Sequence, residues 1–361
     1  MKSLLLYTLC FFSTLLCLSS YDKQPPALSQ INLDECFCIQ YKVVADNEQL
    51  CTKAISECVS ALQKRLQDAE IRPYHIQCEN DTILLYLPQD AIPCPEDEEK
   101  RQSILSTLAQ KGELQLLKVI PNPYQYYASP CFSERVDQYS AAMQRCETGT
   151  IPQQELQQLR TLPPELNIPN SEHYQILPQL NTPQYNEEKY SFIITETPSF
   201  AKQQGFLIDN SDIDEIELVT HVERMANIVN HQGEIVESYY VDDYRHSPPP
   251  DTKDYTIRYT QNESSRIHVT LTPLGANKMQ TLTSGMKLGQ EQLAVVFNGR
   301  ILCAPIVQAV LHGELQITGE KYSQVERIIV ACIKHEMPHT VIFTGYTKPK
   351  AAQKNEKNVK D

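Results

Sequence analysis

The 361-residue sequence contains no tryptophan, only 11 glycines, and no long apolar run after residue 20. Scarce glycine leaves few places where backbone can crowd a phosphate. Neither a Gly-rich phosphate loop nor a Gly-x-Ser-x-Gly nucleophile turn is present. A cationic surplus is missing too: 32 Lys and Arg stand against 45 Asp and Glu, a net charge of −13. Nothing would neutralise a nucleic-acid backbone broadly, so a nucleic-acid partner is excluded. What the chain has instead is 23 prolines and 19 tyrosines. Proline fixes φ and stiffens connections, and tyrosine suits half-exposed surfaces and contacts with other chains.

Residues 2–20 give a basic start at Lys2, an apolar core from Leu4 to Leu18 and an exit at Ser19-Ser20. This is the pattern of a secretory signal peptide cleaved after Ser19 or Ser20. The alternative is a single N-terminal anchor, for which the apolar stretch is short against the roughly 20 residues a span requires. Either way the expectation is an exported chain, tethered at most once. Of the 12 cysteines, ten remain if Cys10 and Cys17 leave with the signal (12 minus 2). An even number in an exported chain points to disulfides. Cys36, Cys38, Cys51, Cys58, Cys78 and Cys94 crowd the first hundred residues, so bridges should brace the N-terminal domain, with their pairing open. Cys36-Phe37-Cys38 lacks zinc-ligand spacing, and no second spaced pair accompanies it.

Residues 39–120 switch between two periods. Gln40–Ala45 is strand-like, and from Asn47 to Ile71 the apolar residues Leu50, Ala54, Ile55, Cys58, Ala61, Leu62 and Leu66 recur at helical spacing. His75–Gln77 and Thr82–Leu87 read as two strands, Pro95–Lys111 as a helix with an acidic first turn, and Leu114–Ile120 as a closing strand. The order β-α-β-β-α-β predicts a ferredoxin-like unit. Residues 121–188 are Pro-broken and rich in Gln, Asn and Tyr, and read as a long connector with one helix near Gln153–Leu162. Regular signals return with strands at Phe192–Thr195, Ile216–Val222 and Arg266–Leu271. Thr272 before Pro273 then marks a helix start.

The most specific stretch is Leu293–Gly319. Two apolar runs flank Asn298-Gly299, the strongest short-range hairpin signal, because both central turn positions need positive φ. Leu293, Ala294, Val295, Val296, Gly299, Ala304, Pro305, Ile306, Gly313, Ile317 and Gly319 fall in register on a block that resembles the first periplasmic domain of the SecD family. The family's Asp before the turn Gly is Asn298 here. A second resemblance to the same family runs through Arg65-Leu66-Gln67, Ile71 and Thr82–Pro88. There, Glu70 and Gln89 replace two family glycines that shape turns. Further similarity lies at Thr107–Ile120, at Gly205–Ile213, and at Gly275, Met279, Leu282 and Thr283.

The resemblance implies an α+β architecture with a SecD-like ferredoxin-like base at 31–120. The linker at 121–188 would lead to a second α+β head subdomain at 189–346, after which 347–361 form a disordered basic tail. It also implies a periplasmic role: binding translocating or unfolded polypeptide and assisting export across the inner membrane. The partner would be the Sec translocon or a separate membrane-spanning SecD/SecF protein. SecD's proton-coupling membrane helices have no counterpart among these residues. The hairpin residues Val295, Phe297, Asn298, Gly299, Ile301, Pro305 and Ile306 are the candidate polypeptide-binding set. No cofactor, metal or small-molecule substrate is expected. The alternative is a secreted envelope interaction or structural protein that retains only the fold.

Two catalytic signatures compete with this reading. His335-Glu336-Met337-Pro338-His339 spells the HExxH zinc-protease motif, which needs both imidazoles on one face of an unbroken helix. Pro338 sits inside that turn, at a cost of about 3 kcal/mol in a helix interior. Ser284-Gly-Met-Lys287 matches Ser-x-x-Lys without the other elements that chemistry requires. The chain is therefore expected not to be an enzyme. The acidic run Asp212, Asp214, Glu215 and Glu217 fits no EF-hand and reads as a solvated loop.

Overall fold

The computed structural model describes residues 32–44, 48–92, 98–147, 153–179, 192–240, 255–318 and 323–349. Residues 1–20, the Pro248–Pro250 loop, Cys94 and the tail beyond residue 349 lie outside them. The first half runs β1 (Cys36–Val43), α1 (Glu48–Asp68), β2 (His75–Glu79), β3 (Thr82–Pro88), α2 (Glu98–Ala109) and β4 (Leu114–Lys118). Next come α3 (Tyr124–Tyr127), α4 (Pro130–Glu147), α5 (Gln153–Leu159), β5 (Tyr174–Pro178), β6 (Phe192–Glu196), α6 (Pro198–Gln203) and β7 (Ile208–Asp209). The second half holds β8 (Ile213–Asn230), β9 (Ile235–Tyr240), β10 (Tyr255–Leu271) and α7 (Pro273–Ser284). It closes with β11 (Leu293–Phe297), β12 (Arg300–Cys303), β13 (Glu314–Thr318), α8 (Ser323–Lys334) and β14 (Val341–Thr347).

The architecture is α+β, as the sequence implies. In the base, Phe37, Ile39, Tyr41 and Val43 alternate inward along β1, while Cys38, Gln40 and Lys42 face out. Ala54, Ile55, Cys58, Ala61, Leu62 and Leu66 of α1 cover that inward face, each spaced to lie on one helix stripe. The sheet order is β14-β1-β3-β2. The β-α-β-β-α-β order is present, yet β4 does not fill the fourth place in this sheet. It pairs instead with β11, and β14 takes the position beside β1. With it comes α8, which packs on α1 and α2.

At the end of α1 the chain turns through Glu70, which adopts φ 58, while the Ile71 amide donates to the Leu66 carbonyl at 2.9 Å. The left-handed helix stop that glycine usually provides is thus made with a side chain, at a conformational cost of about 1 kcal/mol. The Glu70 carboxylate pairs with Arg327 of α8. Gln89, at the second lost glycine, needs no positive φ.

Residues 121–179 differ from the expected connector. They carry α4 in addition to the expected helix at α5, and they build a core of their own. Phe132, Tyr139 and Met143 of α4 pack with Leu162, Leu166, Ile168, Ile176, Phe192 and Ile194. The helical signal was in the sequence: Pro130 at the first helical position, then Phe132, Val136, Tyr139 and Met143 at helical spacing. Flanking Pro-rich text hid it.

In the head, β8 and β10 pair from Asn230–Tyr255 to Ile213–Leu271 within a sheet of order β13-β10-β8-β9. The strand expected at Ile216–Val222 is thus far longer. β13 reaches only to Arg266, so about ten residues of each strand run on beyond it, roughly 33 Å at strand rise. β9 lines that extension and exposes Ile235 and Val236.

Among the described cysteines the expected disulfide bracing is not found: Cys36, Cys38, Cys58, Cys78, Cys131, Cys303 and Cys332 are free thiols. The reason is geometric. β3 lies between β1 and β2, and Cys38 faces Tyr86 while Cys78 faces Ile83, so the two are separated by two strand spacings and three residues of register, well over about 10 Å. A disulfide needs Cα atoms within about 7 Å. Cys58 and Cys332 are sealed in the core, where burial pushes the Cys332 thiol up to about 11.

One fully buried cation ties these parts together. Arg65 of α1 spends all five guanidinium hydrogens on main-chain carbonyls. Nε donates to His335 at 2.7 Å, and Nη1 to Leu108 and Gln110 at 2.7 and 2.6 Å. Nη2 donates to Lys111 and Cys332 at 2.9 and 3.3 Å. These are the C-terminal carbonyls of α2 and α8, where the helix dipoles are negative. Gly112 is confined beside them: at φ +87, an added Cβ would lie 2.0 Å from the Cys332 carbonyl oxygen.

Replacing Arg65 with Met should therefore cost at least about 3 kcal/mol in urea unfolding, because several buried carbonyls lose their donors at once. Arg65→Lys should recover little, since an ammonium has three donors and no planar fork. A Met variant within 1 kcal/mol of the parent in the same titration would refute this account.

Candidate functional site

The Asn298-Gly299 hairpin forms as the sequence predicts. Asn298 has φ 50 and Gly299 φ 75, both positive, joining β11 to β12. The turn is fastened to the loop after α2. Asn298 Oδ1 accepts from the Gly112 and Glu113 amides at 2.9 and 3.0 Å, and the Asn298 amide donates to the Glu113 carbonyl at 2.9 Å. The two amides fix which end of the side chain is oxygen, and they leave Nδ2 buried without an acceptor.

The hairpin is a core element more than a surface. Every residue of β11 is buried, with β4 on one side and β12 on the other. Val295 and Phe297 join the main core, and Ile301 is buried among Leu117, Val119, Leu177 and Val296. β12 is covered in turn by a bridge between Ile301 and Gln179. Gly299 lies beneath the Arg160 guanidinium, 2.3 Å from where a Cβ would stand. Of the candidate set, only Pro305 and Ile306 are exposed, Ile306 by 45%.

Those two residues sit on a held platform. The Leu293 amide donates to the Pro305 carbonyl at 3.1 Å, and Val307 exchanges bonds with Glu291 and Gly289 at 2.9 and 2.8 Å. The segment is thereby laid along residues 289–293, next to Leu288, itself 46% exposed. Sequence reading missed Leu288. Its signal was an isolated Leu inside the polar turn Lys287–Gln290, where burial has no use for it.

The acidic run is not uniformly solvated. Asp212 is buried, and the Lys278 ammonium of α7 donates to both its oxygens at 2.8 and 2.7 Å. Its carbonyl accepts from Thr272, and an added Cβ on Gly275 would stand 2.7 Å from that oxygen. This pair fixes the start of α7 against the start of β8. Asp214, Glu215 and Glu217 face solvent.

The HExxH residues do not assemble a metal centre. α8 ends at Lys334, so the motif is loop. His335 Nε2 lies 2.9 Å from Asp68 Oδ2, and His339 Nε2 lies 2.8 Å from Glu57 Oε2. Those carboxylates are 11 positions apart on α1, about 16 Å along its axis, so the imidazoles diverge. Glu336 accepts from Asn210 Nδ2 at 2.5 Å. No group of three or more His, Cys, Asp or Glu among the described residues is arranged to hold a metal ion.

Asn298→Asp should stay within about 1 kcal/mol of the parent near neutral pH, because both amide bonds become charge-assisted while the buried Nδ2 position becomes a carboxylate oxygen without a donor. Asn298→Ala should lower stability by about 1–3 kcal/mol, since it strands two buried amides at a left-handed position. Thermal unfolding of the two variants side by side decides the matter, and an Asp variant no more stable than Ala would overturn it.

Residues 250–330 match the family model for the SecDF P1 head subdomain. No curated protein matches the chain. Among solved structures, SecDF in a super-membrane-facing form is 15% identical at a TM-score of 0.39, over 95% of this chain and 34% of that one. A structure described as SecDF, a membrane component that enhances protein export, is 14% identical at a TM-score of 0.35, over 85% and 97%. SecDF from Thermus thermophilus is 14% identical at a TM-score of 0.25, over 93% and 35%. The chain thus spans about a third of the length of the first of these. The matched residues run from β10 through the hairpin into α8, so this part of the chain is similar to a SecDF P1 head subdomain.

Proposed function

We propose that the protein is an exported SecD-type module that binds extended or unfolded polypeptide and assists its passage across the inner membrane. The single observation that carries the reading is the match of residues 250–330 to the SecDF P1 head subdomain. The rim of Leu288, Pro305 and Ile306 supports a place for the contact. It is apolar, exposed and held rigid by main-chain bonds, so little ordering entropy is lost when a chain lies on it. Proline also removes one donor from the rim, which leaves side-chain contact as the main source of affinity there.

Val295, Phe297 and Ile301 act in this reading as the floor that sets the rim's position. Asn298 and Gly299 act as the turn that fastens the floor to the base. Among the described residues no helix is long and apolar enough to cross a membrane. The proposed partners are the Sec translocon or a separate membrane-spanning SecD or SecF protein, on the periplasmic face. No catalytic step belongs to the proposal.

Ile306→Asp, alone and with Leu288→Asp, should weaken binding of a permanently unfolded test polypeptide at least about tenfold, close to 1.4 kcal/mol. The melting temperature should stay put, because both side chains are half-exposed. Binding equal to the parent's would move the contact elsewhere. A photocrosslinker at position 306 in cells adds the partner: translocon subunits and nascent exports support the proposal. Capture of an unrelated envelope protein, with neither of these, favours a secreted interaction protein that retains the fold. The β8–β10 extension with its exposed Ile235 and Val236 would then be the natural contact.

A further inference from the structure

Glu326 stands in the first turns of α8 and exposes only 5% of its surface. Neither carboxylate oxygen has a donor in hydrogen-bonding geometry. α8 is the helix that meets both halves of the molecule, packing on α1 and α2 and on β8 and β10. The sheet face in that core is apolar: Ile216 of β8, Ile267 and Val269 of β10 and Ile317 of β13 join Ile328 and Ile329 of α8.

Among the described residues, the charged groups around α8 are committed elsewhere. Arg327, its neighbour on α8, pairs with Glu70, and Asp68 of α1 pairs with His335. Arg65 of α1 is spent on carbonyls. Arg101 of α2 is engaged by Tyr346 and lies over the Phe37 ring. On β8 and β10, Glu215, Glu217, Arg266 and His268 alternate onto the sheet's other face. Burial accordingly pushes the Glu326 carboxyl up to about 7, with the Ser265 hydroxyl of β10 pulling the other way.

We propose that Glu326 is a proton-operated latch between α8 and the head sheet. With the proton bound, the neutral carboxyl stays in the apolar junction and α8 holds β8 and β10. With the proton released, the charge draws water into the junction and the sheet loosens on the helix. The folded group binds its proton more tightly than an unfolded one. Its contribution to stability is therefore complete below the ordinary glutamate range and is lost as pH rises through 7.

Hydrogen exchange on the full chain at pH 6 and pH 8, corrected for intrinsic rates, reads the latch without any ligand. Protection in residues 255–271 and 323–334 should fall about tenfold on going to pH 8, and β1 and β3 should not change. Glu326→Gln should hold its protection at both values. Equal loss in the Gln variant, or no loss in the parent, overturns the proposal. Carbon-13 titration of the Glu326 carboxyl in the parent gives a second reading should the variant fail to fold. A midpoint near 7 supports the latch, and one near the unperturbed value of about 4.3 sinks it.

Discussion

The structure depends on how the short loop after α2 is held. Five carbonyls at the ends of α2 and α8 converge on one guanidinium, Arg65, that has no carboxylate partner among the described residues. The next residues are gripped from the other side. The Gly112 and Glu113 amides go to Asn298, the Gly112 carbonyl accepts from Asn210, and the Leu114 amide donates back to Asn210. The segment 108–114 thus contacts α1, the end of α8, the head hairpin and the turn between β7 and β8. A buried charge compensated only by helix-end carbonyls tolerates little displacement, because each lost bond leaves a polar group dry. Glu336 finds its use here, as the acceptor that orients Asn210.

That arrangement divides the set of residues expected to form the binding surface. The hairpin's apolar strands supply the interior of the sheet β12-β11-β4-β7, which carries the base strand β4 straight into the head. What remains outside is the short stretch after β12, anchored by backbone bonds along residues 289–293. A surface built in this way is stiff because its floor is packed, and greasy because Pro305 and Ile306 have nowhere inward to go.

Local rules were legible where a residue leaves the chain little choice. Asn298-Gly299 meant a two-residue turn, Thr272-Pro273 meant a helix start, and the inward alternation of β1 and the stripe on α1 were plain. Pairing decided by distant residues was not. Nothing near Leu114–Lys118 says that it prefers β11 to β1, since an apolar strand is acceptable to either sheet. α4 was hidden by its neighbours' composition although its own spacing was sound. The cysteines misled because their number speaks of a compartment, while bridges require Cα atoms that the strand order keeps apart. Leu288 was missed because one exposed apolar residue in a turn has meaning only once residues 305–307 are laid along 289–293.

The partnership of β1 with β14 carries a kinetic burden. Cys38 faces Thr347 across that ladder, so the base sheet cannot close until more than three hundred residues of chain separating β1 from its edge strand β14 have been produced. Contacts of such high sequence separation make for slow assembly, and until β14 arrives the edge of β1 stands open. An acidic chain with charged groups such as Lys42 on that open strand is suited to waiting in this state without aggregating. The most C-terminal of the described strands is then the one that commits the domain to its native form.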